Sequence, residues 1–168
     1  MSSLLILGAG QYSSVVKEIA EAMACYTNIA FLDDNNPLAV GKLADYIDYV
    51  DKFDHAFVAI GNLPVRAEWI QRLQKAGFVL PVLKHPQAAV MSSAKVGAGS
   101  IIEAMAVVNV NTVVGDGCII SCGAVVNHNV EVGACCHIDC GAVVPSNKKV
   151  PPQTKILCGT VYHSVQED

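Results

Sequence analysis

The chain has 168 residues, enough for one ordinary domain or two small ones that lean on each other. Hydrophobic residues make up 52% and charged residues only 15%, so much of the surface must be buried or shared between copies, and a net charge of −4 removes any general attraction to nucleic acid. No apolar run approaches the roughly 18 to 20 residues of a membrane span, and Leu4 to Leu7 lacks the basic flank and cleavage site of a signal peptide, so a cytoplasmic protein without a membrane partner is expected.

Residues 3–8 (SLLILG) read as a buried parallel strand that runs into Gly8-Ala9-Gly10. A helix follows over about 13–24, with Val15, Val16, Ile19, Ala20 and Met23 as its apolar face. A second strand over 29–32 ends in Asp33-Asp34, a third over 56–60 ends in Gly61-Asn62, and Trp69, Ile70 and Leu73 mark another helix. Strands alternating with helices predict a Rossmann-like parallel sheet over residues 1–83. Ligands of such sheets bind at the carboxyl ends of the strands, which makes Gly8, Gly10, Asp33, Asp34, Gly61 and Asn62 the candidate contacts to a nucleotide. Ser13 replaces the third glycine of a dinucleotide fingerprint, and about 80 residues cannot form two mononucleotide halves. A single nucleotide or nucleotide sugar therefore fits better than a nicotinamide cofactor.

Lys84 to Ala89, with His85-Pro86, reads as a linker into a second domain that ends near 161, leaving 162–168 as a tail. From Val90 every sixth residue is a β-branched aliphatic: Val90, Val96, Ile102, Val108, Val114, Ile120, Val126, Val132, Ile138, Val144, Val150 and Ile156. Four places after each stands a small residue, except at Val130 and Lys148. A helix repeats every 3.6 residues and a strand every two, so neither accounts for a period of six. A triangular solenoid does, with the aliphatic residue inside and the small residue at the corner. The twelve hexads predict four coils of a left-handed parallel β-helix.

Residues 18 apart then lie above one another. Cys122, Cys140 and Cys158 form one column, Cys118 and Cys136 a second, and Asn111, Asn129 and Asn147 a third, at a bend where left-handed backbone favours Asn. Seven cysteines without the close paired spacings of zinc sites or redox motifs read as reduced thiols, those in the columns as small apolar fillers, with no metal expected. Outward-facing Val107, Val113, Ile119, Val125 and Val143 would leave apolar patches on a lone prism, which predicts a homotrimer with active sites between subunits.

The Gly-Ala-Gly loop, the F-L-D-D and V-A-I-G-N strand ends, the His-Pro linker and the hexapeptide coils together resemble sugar-nucleotide acetyltransferases of the PglD and NeuD type. The most specific segment is V-N-H-N-V-E-V-G (126–133) followed by His137. The resemblance implies an acetyl-CoA-dependent enzyme that acetylates the amino group of a UDP-linked amino sugar. In that reading His128 is the general base with Asn129 beside it, and His137 and Gly141 contact acetyl-CoA. Gly8, Gly10, Asp33, Asp34, Gly61 and Asn62 hold the nucleotide sugar. Asp33-Asp34 also reads as a plain solvated strand end, and Arg66 as a helix-surface charge.

The chain departs from the family pattern at four places. Gln11-Tyr12-Ser13 stands where the first loop usually continues Gly-His-Gly, Ser121 stands where Asn is frequent seven residues before the histidine, and Asn129 replaces an acidic residue. Residues 150–160 close the β-helix early, which predicts a shortened C-terminal part. O-acetylation of a sugar of the sialic acid type and an inactive nucleotide-sugar-binding homologue are the alternatives. A zinc enzyme of the γ-carbonic anhydrase kind shares the solenoid but needs three converging histidines, and only His128 and His137 lie within the coils.

Overall fold

The computed structural model describes residues 1–163. β1 (Ser2–Leu7), β2 (Tyr26–Leu32) and β3 (His55–Val58) form a parallel sheet in the order β2-β1-β3. Central β1 is covered on both faces, which is why Leu4, Leu5, Ile6 and Leu7 read as one continuous apolar run and are all fully buried. Their side chains alternate: Leu4 and Ile6 pack with Val16, Ile19 and Ala20 of α1 (Gln11–Ala22), Leu5 and Leu7 with Ile70 and Leu73 of α2 (Leu63–Ala76). The Asn62 side chain caps α2 by accepting Val65 N–H at 3.1 Å, and Gly77 ends it in the left-handed region. A 3-10 helix at Leu43–Tyr49, which has no periodic apolar signature, follows β2.

From Leu83 the described residues wind into a left-handed β-helix with three faces. The first stacks Leu83–Lys84, Ile101–Ile102, Ile119–Ile120, His137–Ile138 and Lys155–Ile156. The second stacks Ala89–Val90, Val107–Val108, Val125–Val126 and Val143–Val144, and the third Lys95–Val96, Val113–Val114, Glu131–Val132 and Lys149–Val150. From Ile102 to Ile156 the aliphatic at every sixth residue is buried inside the prism. The small residues Ser100, Ala106, Thr112, Cys118, Ala124, Cys136 and Ala142 are buried as well, and Val130, which broke that rule, is accommodated inside with them.

The turn itself is made one residue before the small one. Positive φ recurs three places after each aliphatic from Gly99 to Gly159, through glycines, Asn111, Asn129 and Asn147, and also Met105, Cys135 and Gln153. Of these only the asparagines and glycines carried a signal in the sequence.

Several expectations need correction. Leu83–Lys84 pairs with Ile101–Ile102, so the solenoid register starts before the expected boundary at 84, and the expected linker is its first corner, closed by Ala88 N–H to His85 O at 2.9 Å. Val161 still pairs with Val143, and Tyr162 N–H donates to Val143 O, so the tail expected at 162–168 begins on the prism; residues 164–168 lie outside the described residues. Ile119 does not await a partner subunit. With Leu83 and Ile101 it joins Leu4, Ile6, Phe57 and α1 in one core, because the chain's own N-terminal domain covers the first face. Cys118, Cys135 and Cys136 are buried fillers, but Cys122, Cys140 and Cys158 line an exposed corner, and all seven cysteines are free thiols.

Candidate active site

The loop after β1 is built around a left-handed glycine. Gly8 has φ +94° and a Cβ there would meet Ala59 O and the Ile60 side chain at 3.2 Å, so a larger residue would be strained and crowded. Gly10 caps α1 without a side-chain hydrogen bond, leaving first-turn N–H groups for a ligand, and is exposed. Ser13 is buried and turns its hydroxyl back onto Gly10 O at 2.6 Å. Beside the loop lies a cleft of about 340 Å³ lined by Ala9, Ser13, Ser14, Phe31 and Asn36.

Asp33 is already engaged. Its carboxylate accepts Ala9 N–H at 2.7 Å and the N–H groups of Asn35 and Asn36 at 2.9 Å. These backbone donors, Ala9 first, hold its carboxyl below the usual carboxylate range against the opposing effect of burial. Asp34 is exposed and accepts only Leu43 N–H among the described residues. Gly61 is exposed with open space around it. Asn62, as the α2 cap, has a structural partner for its side-chain oxygen.

Arg66 is 1% exposed, not a helix-surface charge. Its guanidinium donates to Ile60 O, Gly61 O, Gly117 O, Cys135 O and Cys136 O, five carbonyls drawn from the loop after β3 and from two coils of the prism. Tyr12, in the departing segment of the first loop, makes the second tie across the domain seam: its hydroxyl donates to buried Glu103 at 2.8 Å. Burial, reinforced by Glu103, pushes the Tyr12 phenol well above its ordinary range. Glu103 also accepts Cys122 N–H and S–H. No local sequence pattern marks either tie, since the partners lie 51 to 91 residues apart.

His128 lies at the corner between the second and third faces, two residues past the aliphatic Val126. Asn127 Oδ1 accepts His128 N–H at 2.8 Å, and Asn129 Nδ2 faces His128 Nδ1 at 3.2 Å. His137 points out of the first face. Its Nε2 meets Ser121 Oγ at 3.1 Å and lies 3.7 Å from Asp139 Oδ1, while Asp139 Oδ2 pairs with Lys155 at 3.2 Å. Burial pulls the His137 pKa below its ordinary 6.5, Asp139 opposes that pull and Lys155 adds to it. Gly141 occupies a left-handed corner position, φ +65°, with only Gly159 Cα near the space a side chain would take.

One chain therefore gathers Gly8, Gly10, Asp33, Asp34, Gly61 and Asn62 at the carboxyl edge of the small sheet, and His137 with Ser121, Asp139 and Lys155 on the face beside it. It does not bring His128 to either group. The second face, with its outward stripe Ala89, Val107, Val125 and Val143, separates the His128 corner from the corner that follows His137. Among the described residues no group of three His, Cys, Asp or Glu side chains is placed to hold a metal ion, and no helix is long and apolar enough to cross a membrane.

Residues 3–73 match the family described as PglD N-terminal domain. The acetyltransferase domain of PglB from Neisseria gonorrhoeae superposes with a TM-score of 0.87 at 29% identity, over 97% of this chain and 92% of that one. The same domain in complex with acetyl coenzyme A gives a TM-score of 0.79 at 29% identity, over 95% and 92%. PerB from Caulobacter crescentus, in complex with CoA and GDP-perosamine, gives 0.82 at 25% identity, over 97% of this chain and 89% of that one. A search of curated protein sequences returned no match. A Rossmann-like domain docked on a left-handed β-helix, together with these likenesses, makes the chain an acyltransferase of the hexapeptide-repeat class. Within that class its N-terminal domain, over residues 3–73, is similar to that of the PglD type.

Proposed function

We propose that this chain transfers the acetyl group of acetyl-CoA to the amino group of a UDP-linked amino sugar, with His128 as general base, in a homotrimer whose active sites lie between subunits. The observation that carries the reading is the likeness, over 95% of the chain, to a domain whose structure holds acetyl coenzyme A. The acceptor amine attacks the thioester carbonyl, the N–C bond forms, and the amine proton passes to the imidazole. The C–S bond then breaks and the imidazolium returns the proton to the departing thiolate. His137 and Gly141 border the acetyl-CoA path, with the Ser121 hydroxyl and Asp139 orienting the His137 ring. The loops at Gly8, Gly10 and Gly61 approach the phosphates, and Asp34 faces the ribose or base, while Asp33 shapes the first loop.

What the single chain lacks supports the trimer. His128 is separated from the N-terminal domain by the second face, and a neighbour packed on the stripe of Val107, Val125 and Val143 would bury that face and bring a second subunit's groups to the corner. Calorimetry with acetyl-CoA and with UDP- and GDP-linked amino sugars tests the reading. Binding of acetyl-CoA together with the UDP-linked amino sugar is expected. Failure of the chain to bind acetyl-CoA would reduce it to a nucleotide-sugar-binding protein, and preference for the GDP-linked sugar would remove uridine from the assignment.

A further inference from the structure

Asn111, Asn129 and Asn147 stack one coil apart at the left-handed position of the same corner, with φ +57°, +56° and +62°. Their side chains form a ladder: Asn111 Nδ2 donates to Asn129 Oδ1 at 3.3 Å, and Asn129 Nδ2 donates to Asn147 Oδ1 at 3.2 Å. The same Asn129 Nδ2 lies 3.2 Å from His128 Nδ1 and has a second hydrogen to give it. A neighbouring pair, Asn109 Nδ2 to Asn127 Oδ1 at 3.2 Å, runs in the same direction, anchored by Val110 N–H on Asn109 Oδ1 and by His128 N–H on Asn127 Oδ1.

An amide NH2 donates and does not accept, so the imidazole nitrogen that faces it presents a lone pair. In a neutral imidazole the hydrogen is then on the other nitrogen. We propose that the asparagine ladder holds His128 in the tautomer with its hydrogen on Nε2, which makes Asn129, and through it Asn111 and Asn147, positioning residues for this histidine. The Asn129 amide takes its orientation from its two rungs. Turned alone, it would set its oxygen against Asn147 Oδ1 and its NH2 against Asn111 Nδ2. Only a reversal of all three amides together would present an oxygen to His128.

The functional consequence rests on the reading of His128 as the general base. Nδ1 is occupied by Asn129, so the nitrogen left for the acceptor amine is Nε2, and in the held tautomer it carries a hydrogen. Before it can take the amine's proton, the imidazole must exchange that hydrogen through solvent onto Nδ1 and give up the Asn129 bond. A carboxylate at position 129 would do the reverse, accepting Nδ1–H and leaving the Nε2 lone pair free. The corner geometry thus sets a slow resting state for an intact catalytic histidine.

The test uses the full chain with 15N-labelled histidine side chains. His128 is assigned by the signals lost in His128→Ala, and the protein is studied as wild type, Asn129→Asp and Asn147→Gly. The last variant keeps the left-handed backbone while removing one of the two partners that orient Asn129. At a pH where His128 is neutral, the wild type should show a pyridine-type Nδ1 and a pyrrole-type Nε2. Both variants should move hydrogen toward Nδ1. With the loss of one resisting hydrogen bond, kcat should rise about tenfold in Asn129→Asp and about threefold in Asn147→Gly, with KM nearly unchanged. A wild-type His128 with its hydrogen on Nδ1, or a tautomer that neither variant moves, overturns the proposal. A tautomer that shifts as expected in a protein whose transfer is indifferent to His128→Ala supports the ladder and overturns the base assignment.

Discussion

Arg66 offers the sharpest test of how the two domains are joined. Replacing it with Met keeps a long apolar stem in the seam and removes every donor to Ile60, Gly61, Gly117, Cys135 and Cys136. Gly61 is exposed and Ile60 half-buried, so their carbonyls regain water, and Cys136 O keeps Ile119 N–H at 2.9 Å. Gly117 O and Cys135 O are left in a buried seam, at about 1–3 kcal/mol each. Relief from burying a guanidinium without a carboxylate partner offsets part of this, which leaves a net loss of about 3 kcal/mol. For a chain of this size each kcal/mol shifts Tm by about 2–4 °C, so Arg66→Met should melt roughly 6–12 °C below wild type. Arg66→Lys, with fewer donors but the charge retained, should fall between them. Thermal denaturation followed by circular dichroism decides it, and an Arg66→Met Tm within about 2 °C of wild type would refute the clamp.

Further consequences follow from the site. Asp33→Ala with Asp34→Ala should weaken UDP-sugar binding by about 1–3 kcal/mol and leave acetyl-CoA binding unchanged, and only the Asp33 single variant should lower Tm, since it alone releases Ala9, Asn35 and Asn36. Calorimetry in which the double variant binds the sugar as tightly as wild type removes both residues from the site. His137 has a folded pKa below 6.5, so its contribution to stability is full above that value and is lost as pH falls through the lowered one. Tm measured between about pH 7 and 5 should fall more steeply in wild type than in His137→Gln, and parallel curves would contradict the burial of that ring. Light scattering should give three times the 17.7 kDa chain mass, and Val125→Glu should dissociate the assembly; a wild-type monomer at micromolar concentration would end the shared-site reading.

The solenoid was legible because its interior contact is local and repeats: the aliphatics from Ile102 to Ile156 pack in one core, stacked at intervals of 18 residues. β1 was legible because Leu4 to Leu7 are buried on both faces and need no alternation. What escaped was set by contacts across the chain. Arg66 sits in α2 beside exposed Val65, and its burial depends on carbonyls about fifty to seventy positions away. Tyr12 and Glu103 meet only because the small sheet docks on the first prism face, the same docking that covers Ile119. A strand-end carboxylate looks alike in sequence whether it faces solvent or its own loop, so the hold of Asp33 on Ala9, Asn35 and Asn36 shows only in the structure. The left-handed turns at Met105, Cys135 and Gln153 carry no residue signature at all.

The most direct test of the central claim is a steady-state thiol-release assay with acetyl-CoA and UDP-linked amino sugar, run on wild type and His128→Ala. His128 lies at an outward corner, so circular dichroism should show the variant folded. Loss of a positioned general base should lower the transfer rate by about 10² to 10⁴ with little change in sugar affinity. An active wild type that is unaffected by losing His128, or a wild type that releases no thiol from acetyl-CoA with any nucleotide-linked amino sugar, would contradict the account.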